Sequence, residues 1–161
     1  MIKIDRDGLL LCELQAKAFE LSITLQNTSS EIFVRRFMNS KVAKDMDNLS
    51  FLQTNLQPKD MLERVDEEYG ESNYGSKKFA SNEMYWIGYI YRYYAYTYGK
   101  TSQQIYKKIK PKELREVYLP YHTMDPAQAI DRILESKGIY SNVVREETVQ
   151  YEIFKRVRQG K

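Results

Sequence analysis

Residues Met84–Gly99 read MYWIGYIYRYYAYTYG and carry a single charge, Arg92. A helix that is apolar around most of its girth has to be covered on several sides, yet this one is too short and too rich in hydroxyls to cross a bilayer. Two stripes follow from a 3.6-residue period. Tyr85, Tyr89, Tyr93 and Tyr96 form one, Ile87, Tyr91, Tyr94 and Tyr98 the other, and Trp86 and Ile90 lie between them. The segment therefore reads as the central helix of a domain, and the rest of the chain has to supply its cover.

The flanking punctuation is helical. Leu10, Leu14, Ala18, Leu21 and Leu25 predict a buried stripe on a first helix. Thr28 and Glu31 are spaced as a capping box opening a second, with Ile32, Phe33, Phe37, Met38, Val42 and Met46 as its apolar positions. Pro58 suits the first position of a third helix and Gly70 its end, with Met61, Leu62, Val65 and Tyr69 on one face. Beyond Gly99, Thr101 and Gln104 make another capping box, for a short basic helix running through Ile109. Pro111 opens the next helix and Pro120 stops it. Asp125, Pro126 and Gln128 begin a further one that ends at Gly138, with Ile139 folding back on Leu134. Val149, Ile153, Phe154 and Val157 predict an amphipathic helix in the tail. Only Met1–Ile4 alternates like a strand. The expected fold class is all-α, a compact multi-helix domain around an aromatic-rich central helix.

The 161 residues suit one domain. Gly70, Ser72, Asn73, Gly75 and Ser76 crowd a loop between Tyr69 and Ser81, which suggests two halves, 1–70 and 80–161, within that domain. Charge shifts at the same place: 9 basic against 12 acidic groups up to Gly70, a net of −3, and 16 against 10 afterwards, a net of +6. The halves are thus suited to different partners.

Several chemistries find no residues to work with. One Cys and one His make neither an internal disulfide nor a common zinc site. No phosphate-cradling glycine loop occurs. The acidic run Asp66, Glu67, Glu68 and Glu71 lacks the alternating ligand spacing of a calcium loop and reads as a solvated helix end. His122 stands three residues before Asp125, but Asp125 is accounted for as a helix cap and no reactive nucleophile accompanies the pair. Cys12 reads as an inert small hydrophobe. Asp5 and Asp7 ahead of the brief Leu9–Cys12 patch do not make a secretory signal, and Leu11 is not the small residue that lipoprotein processing needs. The expectation is a non-catalytic, cytoplasmic protein with no metal, no cofactor and no membrane contact.

Two binding readings are left. Tyrosine and tryptophan are the residue types that anchor interfaces, and although most of the chain's 14 Tyr and 1 Trp suit a core, Tyr85–Tyr98 offers more rings than one helix usually needs for it. Tyr85, Trp86, Tyr89, Tyr93 and Tyr96 are the candidate anchors for a partner protein, with Arg92 as a carboxylate or phosphate contact. Alternatively, Ala95, Gly99 and Ile105 fall at the offsets of a helix-turn-helix. Thr101, Gln103, Gln104, Lys107, Lys108, Lys110 and Lys112 would then face DNA. Lys100 and Lys108 occupy positions where that motif prefers apolar residues.

The stretches SSEIFVRRFMNSKVAKDMD (Ser29–Asp47) and NEMYWIGYIYRYYAYTYGKTSQQIYKKIKPKELREVYLPYHTMDPAQAIDRIL (Asn82–Leu134) resemble a family of small bacterial proteins encoded beside an ADP-ribosyltransferase-like toxin. The resemblance spans most of the chain. It implies the role of antitoxin or accessory component of a toxin–antitoxin system, whose partner is the co-encoded toxin and which can also repress its own operon. It carries no catalytic motif, so it assigns a role and no site.

Overall fold

The computed structural model describes residues 1–138, and every described element is helical. Met1–Pro126 forms one compact unit and Ala127 begins a second. In the first unit α1 (Arg6–Leu25) and α5 (Ser81–Tyr98) form the principal helix pair. They come from opposite sides of the glycine- and serine-rich loop, which therefore connects elements within one unit and does not separate two halves. Between them in sequence come α2 (Ser30–Met38), α3 (Lys41–Met46), a 3-10 turn (Leu49–Thr54) and α4 (Pro58–Tyr69). After α5 follow α6 (Ser102–Lys108) and α7 (Pro111–Tyr121). In the second unit α8 (Pro126–Lys137) buries Ala129, Ile130, Ile133 and Leu134. The expected fold-back of Ile139 and the expected tail helix lie outside the described residues.

Most helix ends fall where local chemistry places them. Thr101 Oγ1 accepts from Gln104 N–H at 3.2 Å, and Gln104 Oε1 accepts from Thr101 N–H at 3.0 Å, the reciprocal bonds of a capping box. Pro58 opens α4 and Gly70 closes it. Gly99 ends α5 at φ 63°, a left-handed conformation that costs a residue with a Cβ about 1 kcal/mol or more. Three local readings are corrected. The cap of α2 is Ser29, not Thr28: Ser29 Oγ accepts from Ile32 N–H, and Thr28 Oγ1 is buried with no hydrogen-bond partner among the described residues. The helix expected through Met46 breaks after Met38, because Ser40 caps a new start at Lys41, its Oγ accepting from Ala43 N–H at 3.2 Å. Pro120 does not stop α7, which runs to Tyr121; a proline in the last turn forfeits only one ladder bond.

The larger correction concerns the face of α1. Leu10 and Leu25 are exposed and Leu14 and Leu21 half-buried, while Gly8, Leu11, Cys12, Gln15, Ala16, Ala18, Phe19 and Ser22 point inward. The inner face is built largely of small side chains because α5 approaches closely. A Cβ on Gly88 of α5 would lie 2.9 Å from the Gln15 carbonyl oxygen and 3.0 Å from the Ala16 Cα, contacts with backbone that cannot swing aside. Phe19 then fills the core with Phe33 and Phe37, ring edges meeting faces at centroid separations of 5.4 and 5.0 Å.

Candidate functional site

Arg92 is the charge that the central helix has to accommodate, and it is 1% exposed. Its Nε donates to Gln15 Oε1 at 2.9 Å, Nη1 to Asp47 Oδ1 at 2.6 Å and Nη2 to Ser102 Oγ at 2.8 Å. The partners are themselves held. Gln15 Nε2 donates to the Gly88 carbonyl, Ser102 Oγ donates to Asp47 Oδ1 at 2.8 Å, and Ser102 N–H donates to the same carboxylate at the start of α6. One guanidinium thus joins α1, α5, the end of α3 and the start of α6. A buried charge is tolerable only when paired and hydrogen-bonded, and each of the three guanidinium nitrogens has a partner inside the unit. Arg92 is therefore not a contact for a partner's carboxylate or phosphate, which corrects that expectation. A lone arginine in an apolar helix signals that an acid has to meet it, from this chain or from a partner; that the acid is Asp47, among 22 acidic residues, the sequence does not say.

The tyrosine stripe is only partly enclosed. Tyr85, Tyr89 and Tyr93 stack at centroid separations of 6.5 and 6.3 Å with interplanar angles of 23° and 26°, a ladder along one side of α5. Tyr85 and Tyr89 are half-buried, whereas Tyr93 is 7% exposed and Trp86 9%. Trp86 meets the Tyr118 ring edge-on at 5.7 Å, so it is chiefly a core residue rather than an open anchor. Tyr96 is half-buried, packs against Gly8 and donates from its hydroxyl to Asp5 Oδ1 at 2.7 Å. That bond raises the Tyr96 phenol to about 12 and holds the Asp5 carboxyl below its usual range. Burial, reinforced by Cys12 and Glu13, pushes Tyr89 to about 12 as well. Of the other stripe, Tyr91 is wholly buried with its hydroxyl on the Ile109 carbonyl, and Tyr94 meets Tyr98 edge-to-face.

The candidate DNA-contacting residues lie on α6 and the turns around it. Gly99 makes the sharp turn between α5 and α6. Thr101, Gln104, Lys107, Lys108, Lys110 and Lys112 are exposed, and Gln103 is half-buried. Thr101 and Gln104 spend their side chains on the capping box, and Lys110 Nζ lies 4.1 Å from the centroid of the Tyr106 ring. Lys107 and Lys108 form the outward end of this short helix.

The residues weighed for catalysis are dispersed. His122 is exposed at the end of α7, stacked on Tyr118 at 4.3 Å, with Nδ1 at 2.9 Å from the Tyr118 carbonyl oxygen. Cys12 is buried, and desolvation lifts its thiol to about 12, well away from a reactive thiolate. In the acidic run, Glu68 accepts from Lys41 N–H and Asp66 from the Gln26 side chain. Among the described residues, no group of three or more His, Cys, Asp or Glu side chains is placed to hold a metal ion, and no helix is long and apolar enough to cross a membrane. A cavity of about 410 Å³ is lined by Lys41, Val42, Asp45, Leu56, Arg64, Glu67 and Glu68, which bring charges of both signs. A smaller one of about 180 Å³ lies between Leu10 and Leu14 of α1 and the Phe51–Gln57 stretch.

No protein-family model matches this chain, and neither a curated protein nor a solved structure is significantly similar to it.

Proposed function

We propose that this chain is a non-catalytic helical protein that binds and occludes a partner protein, in the antitoxin role implied by the resemblance of Ser29–Asp47 and Asn82–Leu134. The observation that supports it is the ladder of Tyr85, Tyr89 and Tyr93, whose ring planes run nearly parallel along α5 while Tyr85 and Tyr89 stay partly open. Rigid rings with an apolar body and a polar tip lose little entropy on docking, which is why they dominate interface energetics. The anchors are Tyr85, Tyr89 and Tyr96, with Tyr93 and Trp86 bracing them from within.

Co-expression with the product of the neighbouring gene tests the reading. The wild-type chain relieves the growth arrest that this product causes, and the double variant Tyr85→Ala, Tyr89→Ala, with its helical circular dichroism intact, does not. Failure of the wild type to relieve the arrest refutes the role.

A second reading, DNA binding by α6, is favoured by the tight turn at Gly99 and the exposed lysines beyond it. Phosphate contacts by such lysines predict a steep loss of affinity with salt. Lys107→Glu with Lys108→Glu abolishes retardation of the chain's own promoter fragment if the reading holds; retained binding excludes it.

A further inference from the structure

The tyrosine ladder has a charge of its own. On α1, Glu13 and Glu20 are two helical turns apart and share the edge next to Cys12 and Ala16, residues of the face packed against α5. Both glutamates are exposed. Burial is the main reason the Tyr85, Tyr89 and Tyr93 phenols are raised, and the bond to Asp5 the main reason for Tyr96; Glu13 adds to the first two, Glu20 to Tyr85, Asp125 to Tyr93 and Asp7 to Tyr96. Among the described residues, the charged side chains that raise these four phenols are all acidic. Lys17, the one cation between Glu13 and Glu20, is turned about 40° further around α1 from Glu13, away from α5.

We propose that Tyr85 and Tyr89, the open rungs of the ladder, flanked by Glu13 and Glu20, are a docking surface for an arginine- or lysine-rich segment of a partner protein. This rests on the partner-binding reading and names the partner's chemistry. A guanidinium or ammonium over a tyrosine face is attracted by the ring quadrupole, and carboxylates beside the rings give its N–H donors charged acceptors. The same carboxylates repel phosphate, so nucleic acid, which also stacks on aromatic rings, is the wrong class of ligand for this face.

Trp86 is the only tryptophan and lies one residue from Tyr85 on α5, which makes its fluorescence a local reporter. The full chain is titrated with a peptide of three Gly-Arg-Ser repeats and with its Gly-Glu-Ser counterpart. The cationic peptide gives a saturable change that weakens with salt, and the anionic one gives none. Glu13→Gln with Glu20→Gln weakens the cationic peptide about fivefold, and Tyr85→Leu with Tyr89→Leu about tenfold, circular dichroism confirming the fold of each. Equal response to both peptides, no response to either, or unchanged affinity in the glutamate variant overturns the proposal. If relief of growth arrest in the co-expression assay still depends on Tyr85 and Tyr89 after such a result, the partner-binding reading stands and only the charge class falls. If it does not, both fall together.

Discussion

Arg92 shows how one side chain sets the terms for its surroundings. Its guanidinium is satisfied by Gln15, Asp47 and Ser102, three residues that share no sequence neighbourhood. Such a node is more costly to break than it is stabilising to have, because removing one partner leaves the other charge buried and unpaired. Asp47→Ala should therefore lower the unfolding free energy by about 3–5 kcal/mol, and Ser102→Ala by about 1–3 kcal/mol, both read from chemical denaturation. The double variant should cost less than the two single losses combined, since Ser102 and Asp47 act on the same guanidinium. Additive losses would mean that the node is not one network.

At the scale of elements, the decisive contact is the α1–α5 crossing. Gly88 permits it, and the small residues on the inner face of α1 receive it. Gly88→Ala places a methyl against backbone atoms of Gln15 and Ala16, so the helices have to separate. A loss of about 1–3 kcal/mol is expected from overpacking, seen as a lower denaturant midpoint with the slope unchanged. The short helix α6 depends on its cap instead. Thr101→Ala removes the hydroxyl that accepts from Gln104 N–H and should cost about 1 kcal/mol. Faster amide exchange confined to the first turn of α6 would report it. The same substitution leaves the tyrosine ladder untouched, so relief of growth arrest through the ladder should be unchanged in a Thr101 variant.

For the molecule as a whole, the tyrosines make alkaline pH the vulnerable side. Tyr89 and Tyr96 are raised to about 12 from an ordinary value of 10.0, the first chiefly by burial and the second chiefly by its bond to Asp5. Tyr91, enclosed entirely, is also raised well above 10.0, chiefly by burial. Between those limits the native chain keeps protons that the unfolded chain releases, so stability is complete below about pH 10 and declines as pH rises through 12. Tyrosinate absorbance and circular dichroism, followed together, should show late ionisation of these phenols coupled to loss of helix. Ionisation of every tyrosine near pH 10 with the helices intact would contradict the packing around Tyr89 and Tyr91.

Helix type and helix ends were determined by sequence alone at Pro58, Gly70, Gly99, Thr101 and Pro111, because capping and turn chemistry is completed within a few residues of itself. The aromatic density of Met84–Gly99 likewise announced a central helix with rings to spare. Which face of α1 turns inward was decided only in the tertiary structure: its leucines are the more hydrophobic side chains, but Gly88 lets α5 come too close for them, and small residues take their place. The fate of Arg92 was decided there too. A lone charge in an apolar helix looks the same in sequence whether it awaits a partner protein or already holds Asp47, since the acid that neutralises it lies 45 residues away and reaches it only through folding. The openness of Tyr85 and Tyr89 and the burial of Trp86 and Tyr93 follow from the same cause, the arrangement of neighbouring helices around one stripe of otherwise similar residues.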